Sequence, residues 1–383
     1  MSCTIVAGLL SRLTLFQGSN SSHELAALSI TEAVIQGLYV NKEPVYFLSL
    51  DALSAFDRVI IEHAIREAYL AGTQDEGLVY LDNRLKSRET FIEWDTEILG
   101  PIRDTNGLEQ GAPASDRVYR LVNNEQLRTA QKSELGVYLG LFVESSGELV
   151  NLVLSATGQA DDVGLLSTSM NNLKALLHLT KLYCDKYQVK LVSSKTKLLV
   201  FTTKETEVQA RIEMAVTPIS IDGEEISSTN QATHVGVLRS VEGNGPNIAA
   251  RLSAHRRAVF GLLHAGLAKE HRANPAALLR VEKVYAAPVL LSGLSSLVLS
   301  SKEELLIDQH FKVYLQRLLK LHQATPAPVV FFLAGCLPFP AQLHLRMLSL
   351  FGQLCRLKNG DNILAKHATN ILSSASASHK SWF

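Results

Sequence analysis

Short apolar runs that end in acidic residues alternate with helix-like segments through the first half of the chain. Residues 45–50 (VYFLSL) form a continuous apolar run, which predicts a strand buried on both faces, and the run ends at Asp51. Residues 152–160 and 163–166 flank Asp161-Asp162 and predict a β-hairpin with the acids at its tip. The pattern therefore places three carboxylates at the ends of two neighbouring strands.

Helical spacing of apolar positions surrounds these strands. A capping-box pattern at residues 21–24 (SSHE) marks the start of the first helix, and a mostly helical stretch follows Asp51. From about residue 247 the pattern becomes helical again, which indicates a second region. The clearest further elements are helices at 22–40, 116–130 and 172–187 and short strands at 189–192 and 197–202.

The composition is that of a large globular chain. Its 383 residues are 46% hydrophobic and 19% charged, enough for more than one folding unit. The apolar runs are interrupted before they reach spanning length, and the first residues lack the basic leader of a secretory signal. We therefore expect an intracellular protein, in the nucleus or the cytoplasm, without membrane contact. Neither the four cysteines nor the histidines show metal-ligand spacing.

Charge is balanced overall but unevenly distributed. The formal net charge is +0, which argues mildly against strong nucleic-acid binding, because phosphate contacts usually leave a basic surplus. From Arg239 onward, fewer acids accompany the basic residues, which predicts either a basic face or an ordinary solvated helix surface. The set comprises Arg239, Arg251, Arg256, Arg257, Lys269, Arg272, Arg280, Lys283, Lys312, Arg317 and Lys320.

The aspartates have the chemistry of a nucleotidyl-transfer site. Attack of a 3′-hydroxyl on an α-phosphate is assisted by two divalent ions about 3.5–4 Å apart, which carboxylates bridge. We assign Asp51 and Asp161 to that bridge, the carbonyl of Ala52 as a further metal ligand at the substrate site, and Asp162 as an orienting acid. The expected ions are two Mg²⁺, with Mn²⁺ as a substitute. Taken alone, an Asp-Asp pair is ordinary turn chemistry, so the assignment depends on the surrounding motifs.

Those motifs occur in the order found in reverse transcriptases of non-LTR (LINE-like) retrotransposons, which the chain resembles over about residues 16–300. Residues 51–57 (DALSAFD) are similar to the first palm motif of that family, and residues 160–162 (ADD) to its Tyr-Ala-Asp-Asp box. Three further segments complete the series: 108–113 (LEQGAP) resembles the Gln-Gly-x-Pro motif, 195–197 (KTK) the Lys-Thr element, and 234–237 (HVGV) the primer-grip hairpin. Residues 16–18 (FQG) resemble the region just upstream of the palm.

The resemblance implies roles for several residues beyond the aspartates. Lys195 would give a proton to the leaving pyrophosphate or neutralise its charge. Phe56 would act as the steric gate against a ribose 2′-hydroxyl, and Gln110 and Gly111 would lie beside the incoming nucleotide. Ordinary roles stay open for each: a solvated lysine, a core aromatic and a surface turn. For Asp57 we favour capping of the following helix.

The implied fold is α+β, an antiparallel polymerase palm backed by helices and followed by a helical thumb-like region. We divide the chain into a remnant of the fingers with a lead-in helix (1–44), the palm (45–245), the thumb-like region (246–345) and a C-terminal tail (346–383). Because the palm begins so early, we expect a chain truncated within the fingers. Gln159 and Glu109 depart from the family pattern, where an aromatic residue and a neutral or basic residue are usual.

The implied activity is RNA-directed DNA synthesis, with an RNA template, a DNA primer and dNTPs as partners. One alternative is a catalytically dead, palm-like module derived from a retroelement, which binds nucleic acid or a protein. A viral RNA-dependent RNA polymerase is a weaker alternative, because Gln110-Gly111 is a reverse-transcriptase feature and Phe56 favours deoxynucleotides.

Overall fold

A four-stranded antiparallel sheet, with the strand order β10-β1-β8-β7, lies at the centre of the computed structural model. Its strands are β1 (Val45–Leu50), β7 (Ala156–Gln159), β8 (Asp162–Ser167) and β10 (Lys197–Phe201). The structure describes residues 23–103, 106–109, 112–144, 146–159, 161–262, 274–357 and 362–373. The mixture of antiparallel sheets with separate helices confirms the predicted α+β class.

Strand β1 lies in the middle of the sheet and is buried on both faces, as its apolar run predicts. All six of its residues are buried. Tyr46 and Leu48 pack in one core with α5 (Met170–Tyr187), whereas Phe47 packs in a second core with α1 (His23–Ile35). Because helices cover both faces, the strand has a continuous apolar sequence without the usual alternation of apolar and polar residues.

The predicted hairpin exists, but its first strand is shorter than expected. Strands β7 and β8 pair with Gln159 opposite Asp162, so the acids lie at the tip. The predicted strand 152–160 is wrong as a single element. It divides at Ser155 into β6 (Leu149–Leu154), which pairs with β5 (Val137–Val143), and β7, which pairs with β8. Residues on both sides of Ser155 are buried, and an apolar run by itself does not show where a strand changes its pairing partner.

Helices and small ribbons surround the central sheet. The helices are α2 (Ile61–Leu70), α3 (Asp75–Lys86), α4 (Pro113–Lys132) and α6 (Glu207–Val216), and α4 and α5 confirm the helices predicted at 116–130 and 172–187. The ribbons pair β2 (Ala52–Leu53) with β9 (Lys190–Leu191), β3 (Glu89–Trp94) with β4 (Glu97–Arg103), β11 (Ser220–Ile221) with β12 (Glu224–Glu225), and β13 (Gln231–His234) with β14 (Val237–Ser240). The β3–β4 ribbon was not predicted, because all its residues are exposed and show no burial pattern.

The described residues from 245 onward form helices without strands, as their pattern predicts. The helices are α7 (Gly245–Leu262), α8 (Pro275–Val281), α9 (Ala287–Leu291), α10 (Ser301–Leu318), α11 (Ala327–Ala334), α12 (Phe339–Leu357) and α13 (Ile363–Ser373). All of them except α13 share an apolar core that includes Leu290, Phe311, Phe331 and Phe339. Helix α10 begins with a complete capping box between Ser300 and Glu303.

The segment predicted as a tail from residue 346 contains the end of α12 and all of α13. Leu350 and Leu354 of α12 pack against Leu28 of α1 in one apolar cluster. His367 of α13 and Glu32 of α1, both buried, pair at 2.9 Å. Helices α12 and α13 therefore support α1 and, through it, the central sheet.

None of the described helices is by itself long and apolar enough to cross a membrane. Helices α11 and α12 meet the length and composition criteria only as a pair, with a bend of 57° between them.

Candidate active site

The three aspartates lie at one edge of the central sheet. Asp51 directly follows β1, and Asp161 lies at the tip of the β7–β8 hairpin. Strands β1 and β8 are antiparallel, and Leu50 at the end of β1 pairs with Val163 near the start of β8. Asp51 follows Leu50 and Asp161-Asp162 precede Val163, so all three acids lie at the same edge. Asp161 is exposed, and Asp51 and Asp162 are half-buried. The antiparallel pairing thus joins acids that are far apart in the sequence.

A small cavity lies beside this edge, and Ala52 and Asp161 both contribute to its wall. Ala52 belongs to β2, where it pairs with Leu191 of β9. The carbonyl of Asp51 accepts a hydrogen bond from the Val192 backbone amide at 2.9 Å. The backbone around the predicted metal ligands is therefore fixed by pairing on both sides.

Lys195 lies against Asp51, with 3.4 Å between its Nζ and Asp51 Oδ2. A tight turn after β9 positions it, since the Lys195 amide donates to the Val192 carbonyl at 3.2 Å. The two side chains are 64% and 39% exposed, so the ion pair is solvated and weak. Lys195 is thus placed beside the acids while its ammonium group is free to exchange partners.

The donor set at this edge fits a hard divalent cation. Asp51 Oδ2 makes no hydrogen bond of normal geometry among the described residues, and a cation would compete there only with the weak ion pair to Lys195. Carboxylate and carbonyl oxygens are the ligands that Mg²⁺ prefers. Within the described ranges, however, the only group of three or more ligating side chains whose donor atoms lie within 4.8 Å of one another is elsewhere, at His63, Glu67 and Glu125. The metal assignment of Asp51, Ala52 and Asp161 stays a prediction.

Phe56 is half-buried and stacks on Tyr119 of α4, with ring centroids 4.6 Å apart and an angle of 23° between the planes. Tyr119 lines the same cavity as Asp161, and burial together with the charge of Asp161 raises the pKa of its hydroxyl. The predicted gate residue is therefore linked to the acids through one intervening aromatic ring.

Helix α4 supplies polar cavity residues that the sequence analysis missed. Tyr119, Asn123 and Gln126 line the cavity together with Asp161. Their spacing of four and three residues places them on one helix face. A polar stripe inside an otherwise core-facing helix was the signal that would have identified them, and Asn123 and Gln126 are both buried.

Two of the motifs fall on parts of the chain that the structure does not describe. Gln110 and Gly111 lie outside the described residues, as do residues 16–18 and Ser21-Ser22 of the predicted capping box. Next to this gap, Glu109 pairs with Arg84 of α3 at 3.4 Å on the surface. The extra negative charge predicted at Glu109 therefore has a positive partner.

Residues 234–237 form a tight hairpin between β13 and β14, as predicted. Val235 and Gly236, the two turn residues, have φ of 50° and 69°, typical of a type I′ turn. His234 is buried and its Nδ1 lies 3.1 Å from Ser49 Oγ of β1. Burial and the nearby Arg239 lower the pKa of His234 to about 3, so the ring is neutral. The hairpin is thus anchored directly on the strand that precedes Asp51.

Arg239 does not belong to the predicted basic face. It is buried, and its guanidinium donates to Thr31 Oγ1 at 2.7 Å and to the Ala27 carbonyl. Burial lowers the pKa of Arg239 to about 10. The prediction was wrong for this residue because it attaches β14 to α1, whereas Arg256, Arg257, Arg317 and Lys320 are exposed. Lys269 and Arg272 lie outside the described residues.

The capping role favoured for Asp57 was also wrong. Helix α2 begins after Ile60, and no side chain caps it. The segment is fixed by its backbone, since the Leu108 amide donates to the Phe56 carbonyl at 2.8 Å. Gly107 lies so close that a Cβ there would be 2.8 Å from the Asp57 carbonyl oxygen.

Strand-end acids beside a lysine, with a stacked aromatic pair next to them, form the arrangement that the sequence motifs predict for nucleotidyl transfer. The family comparison agrees: the family model described as "Reverse transcriptase (RNA-dependent DNA polymerase)" matches residues 9–236, which is more than half of the chain. The chain belongs to the reverse transcriptase family. No curated protein matches it.

Several solved telomerase structures are similar to the chain. Apo telomerase from Candida tropicalis, truncated from its C-terminal domain, is 14% identical over 62% of this chain and 42% of that one, with a TM-score of 0.37. Telomerase from the same organism in complex with a TWJ fragment of telomeric RNA is 10% identical over 86% and 55%, with a TM-score of 0.43. The corresponding Candida albicans complex is 12% identical over 90% and 56%, with a TM-score of 0.33. The chain spans about half the length of these proteins.

Proposed function

We propose that this chain is the RNA-directed DNA polymerase module of a LINE-like retrotransposon, which adds dNTPs to a primer 3′-hydroxyl on an RNA template. The observation that carries the proposal is the meeting of Asp51 and Asp161 at one sheet edge, in a chain that belongs to the reverse transcriptase family. Carboxylates at that edge are what in-line phosphoryl transfer between nucleotides requires.

In this proposal Asp51 and Asp161 hold two Mg²⁺ with the carbonyl of Ala52, and Asp162 orients the hairpin tip. When bound, the ions would activate the attacking hydroxyl and neutralise charge on the phosphate. Lys195 Nζ lies 3.4 Å from Asp51 Oδ2 and would turn toward the leaving pyrophosphate once substrate is bound.

The stacked pair of Phe56 and Tyr119 would select the sugar. Tyr119 is buried and supports the Phe56 ring from α4, so the ring has little freedom to move aside. A rigid ring beside the incoming nucleotide excludes a 2′-hydroxyl by steric overlap. Gln110 and Gly111 would contact the same nucleotide.

Template and primer would lie across the His234–Val237 hairpin and the helices that follow it. The hairpin is anchored to β1 through His234, so a primer held there would have a fixed position relative to Asp51. Arg256, Arg257 and Lys320 are exposed basic residues of the helical region and suit phosphate contacts. The division into a palm at 45–245 and a thumb-like region at 246–345 belongs to this proposal.

Primer extension tests the proposal most directly. The chain is given a primed RNA template with either dNTPs or rNTPs, in Mg²⁺ or Mn²⁺. We expect extension with dNTPs, its loss in Asp161→Ala, and gain of rNTP incorporation in Phe56→Val. Asp185→Ala, which removes an exposed acid of α5, is the matched control and should extend normally. Absence of extension by the wild-type chain with either ion would overturn the proposal.

A second candidate, a catalytically inactive palm-like module that binds nucleic acid or a protein, is favoured by one observation. Gln159, at the position where the family has an aromatic residue, is 2% exposed and so presents no surface to a primer end. This candidate predicts salt-sensitive binding of a primed template without synthesis, and binding that Asp51→Ala leaves unchanged.

A further inference from the structure

A second group of metal-ligating side chains lies between helices α2 and α4, outside the candidate active site. His63 and Glu67 of α2 are four residues apart and share one helix face. Glu125 of α4 faces them, and the ligand atoms of the three residues lie within 4.8 Å of one another. His63 Nε2 and Glu125 Oε2 are 4.0 Å apart.

His63 is the feature that points to a ligand. Its side chain is 4% exposed, and neither ring nitrogen makes a hydrogen bond of normal geometry to any described residue; the Val122 carbonyl lies close to the ring but accepts from the Tyr183 hydroxyl at 3.0 Å. A buried imidazole without partners is costly, because the nitrogens lose their hydrogen bonds to water. Tyr187 stacks on the ring at 3.6 Å and fixes its plane. The imidazole is thus held in place beside two carboxylates that do not satisfy it.

The donor chemistry selects the class of cation. One imidazole nitrogen and two carboxylates match borderline divalent ions such as Zn²⁺, whereas Mg²⁺ prefers oxygen ligands alone. Two ligands about 2.1 Å from a tetrahedral ion lie about 3.4 Å apart, so the present spacing needs only side-chain rotation to close.

Lys186 and Tyr187 both interact with the Glu125 carboxylate. Lys186 Nζ lies 2.9 Å from Glu125 Oε1, and Tyr187 donates its hydroxyl to Glu125 Oε2 at 2.6 Å. Lys186 is 53% exposed, so a bound ion can displace it into water at little cost. The tyrosine hydroxyl would then orient the ligating carboxylate, as outer partners of metal ligands commonly do.

We propose that His63, Glu67 and Glu125 bind one zinc-like divalent cation, which ties α2 to α4 behind the central sheet. Helix α2 follows the segment that carries Asp51 and Phe56, and α4 carries Tyr119, so the ion would fix two walls of the candidate active site relative to each other. The site is independent of the polymerase proposal, since none of its ligands lies at the strand edge.

The test is Zn²⁺ binding to the full chain after chelator treatment, measured by equilibrium dialysis and by thermal unfolding. We expect one ion per chain and a higher Tm with Zn²⁺. Glu67→Gln and His63→Gln should each weaken binding by more than about tenfold, since loss of even an outer partner costs about 10–100-fold. His178→Gln and Asp185→Asn, which change an exposed histidine and an exposed acid of α5, should bind like wild type.

X-ray absorption of the Zn²⁺-loaded wild-type chain keeps the test valid if a variant fails to fold. The expected spectrum has one imidazole and oxygen ligands and no sulfur. A sulfur shell, no stoichiometric Zn²⁺, or equal affinity in Glu67→Gln would overturn the proposal. Failure of primer extension leaves this result untouched, because no catalytic step enters the measurement.

Discussion

Two acidic groups, the aspartates at the strand edge and the glutamates between α2 and α4, lie against different faces of α4 and differ in their exposure to water. At the strand edge, Asp161 is exposed and the side chain of Asp51 is 39% exposed, with Lys195 as a solvated partner. Between the helices, Glu67 is 5% exposed and shares its site with a buried, unsatisfied imidazole. The strand-edge carboxylates thus remain in contact with water, whereas the Glu67 carboxylate is largely removed from it.

The difference indicates what each group can do. Solvated carboxylates can bind and release cations and substrates without disturbing the core, as a catalytic edge must. Buried carboxylates destabilise the chain unless they are protonated, paired or bound to metal. Burial and the charge of Glu125 raise the pKa of Glu67. The strand edge is therefore suited to reversible binding of cations and substrates, and the cluster between the helices to one permanently bound cation.

The largest expected effect is on catalysis at the strand edge. If Asp51 holds metal as proposed, Asp51→Asn should lower primer extension by about 10³-fold or more, because the loss removes several kcal/mol of transition-state stabilisation. The Tm should stay close to that of wild type, since the side chain is isosteric and partly exposed. Steady-state extension rates and a thermal scan of the same samples measure both, with Asp185→Asn as the control. A variant that retains a tenth of the wild-type rate would contradict the assignment.

The next effect tests the sheet that supports this edge. A Cβ at Gly164 of β8 would lie 2.4 Å from Cε2 of Phe47, a ring that is fully buried. Gly164→Val should therefore lower the free energy of unfolding by about 3 kcal/mol, through overpacking. Denaturant unfolding measures it. Gly261→Ala, where a Cβ would meet nothing within 4 Å, should be neutral or slightly stabilising. If the two variants were equally stable, the Phe47 ring would be able to move away from β8 at little cost, contrary to its close packing against Gly164.

A pH series examines the buried cluster in the metal-free chain. The pKa of His63 falls from 6.5 to about 4 on burial, so the folded state binds fewer protons than the unfolded state between these values. Its contribution to stability is present above pH 6.5 and is lost as the pH falls toward 4, by up to about 3 kcal/mol. His63→Gln should remove this part of the acid destabilisation, and His178→Gln should not.

His234 and His310 also have lowered pKa values, so the wild-type chain loses more stability in acid than His63 alone explains. The informative quantity is the difference between the wild type and His63→Gln, measured by urea unfolding from pH 7 to pH 4. Parallel curves would mean that His63 is accessible to protons in the folded chain.

The smallest effect concerns the ion pair at the edge. Lys195→Met should change the free energy of unfolding by less than about 1 kcal/mol, because both partners are partly exposed and well solvated. Chemical unfolding at low and high salt measures the change, which should shrink further as salt increases. Lys204→Met, at an exposed turn, is the control. A loss of several kcal/mol would indicate that the pair is structural, and the contrast between the two acidic groups would weaken.

Elements with a strong local pattern were predictable from the sequence. The strand at 45–50 coincides with β1, because a run that is apolar on both faces has few other ways to be buried. The hairpin tip at Asp161 was predicted from the apolar runs that flank it, and helices α4 and α5 from helical patterns. The break at Ser155 and the burial of Arg239 were not, because each is decided by a distant partner: a second strand for the first, and α1 for the second.

The same division applies to the sites. The motifs with Asp51 and Asp161 were recognisable because their order along the chain carries information. His63 and Glu67 have a visible spacing of four residues, but Glu125 lies far along the chain and only the packing of α2 on α4 brings it near. Local sequence set the elements, the acidic motifs and the balanced charge. Tertiary structure decided which charges meet water and which are buried, because burial depends on surfaces contributed by remote parts of the chain.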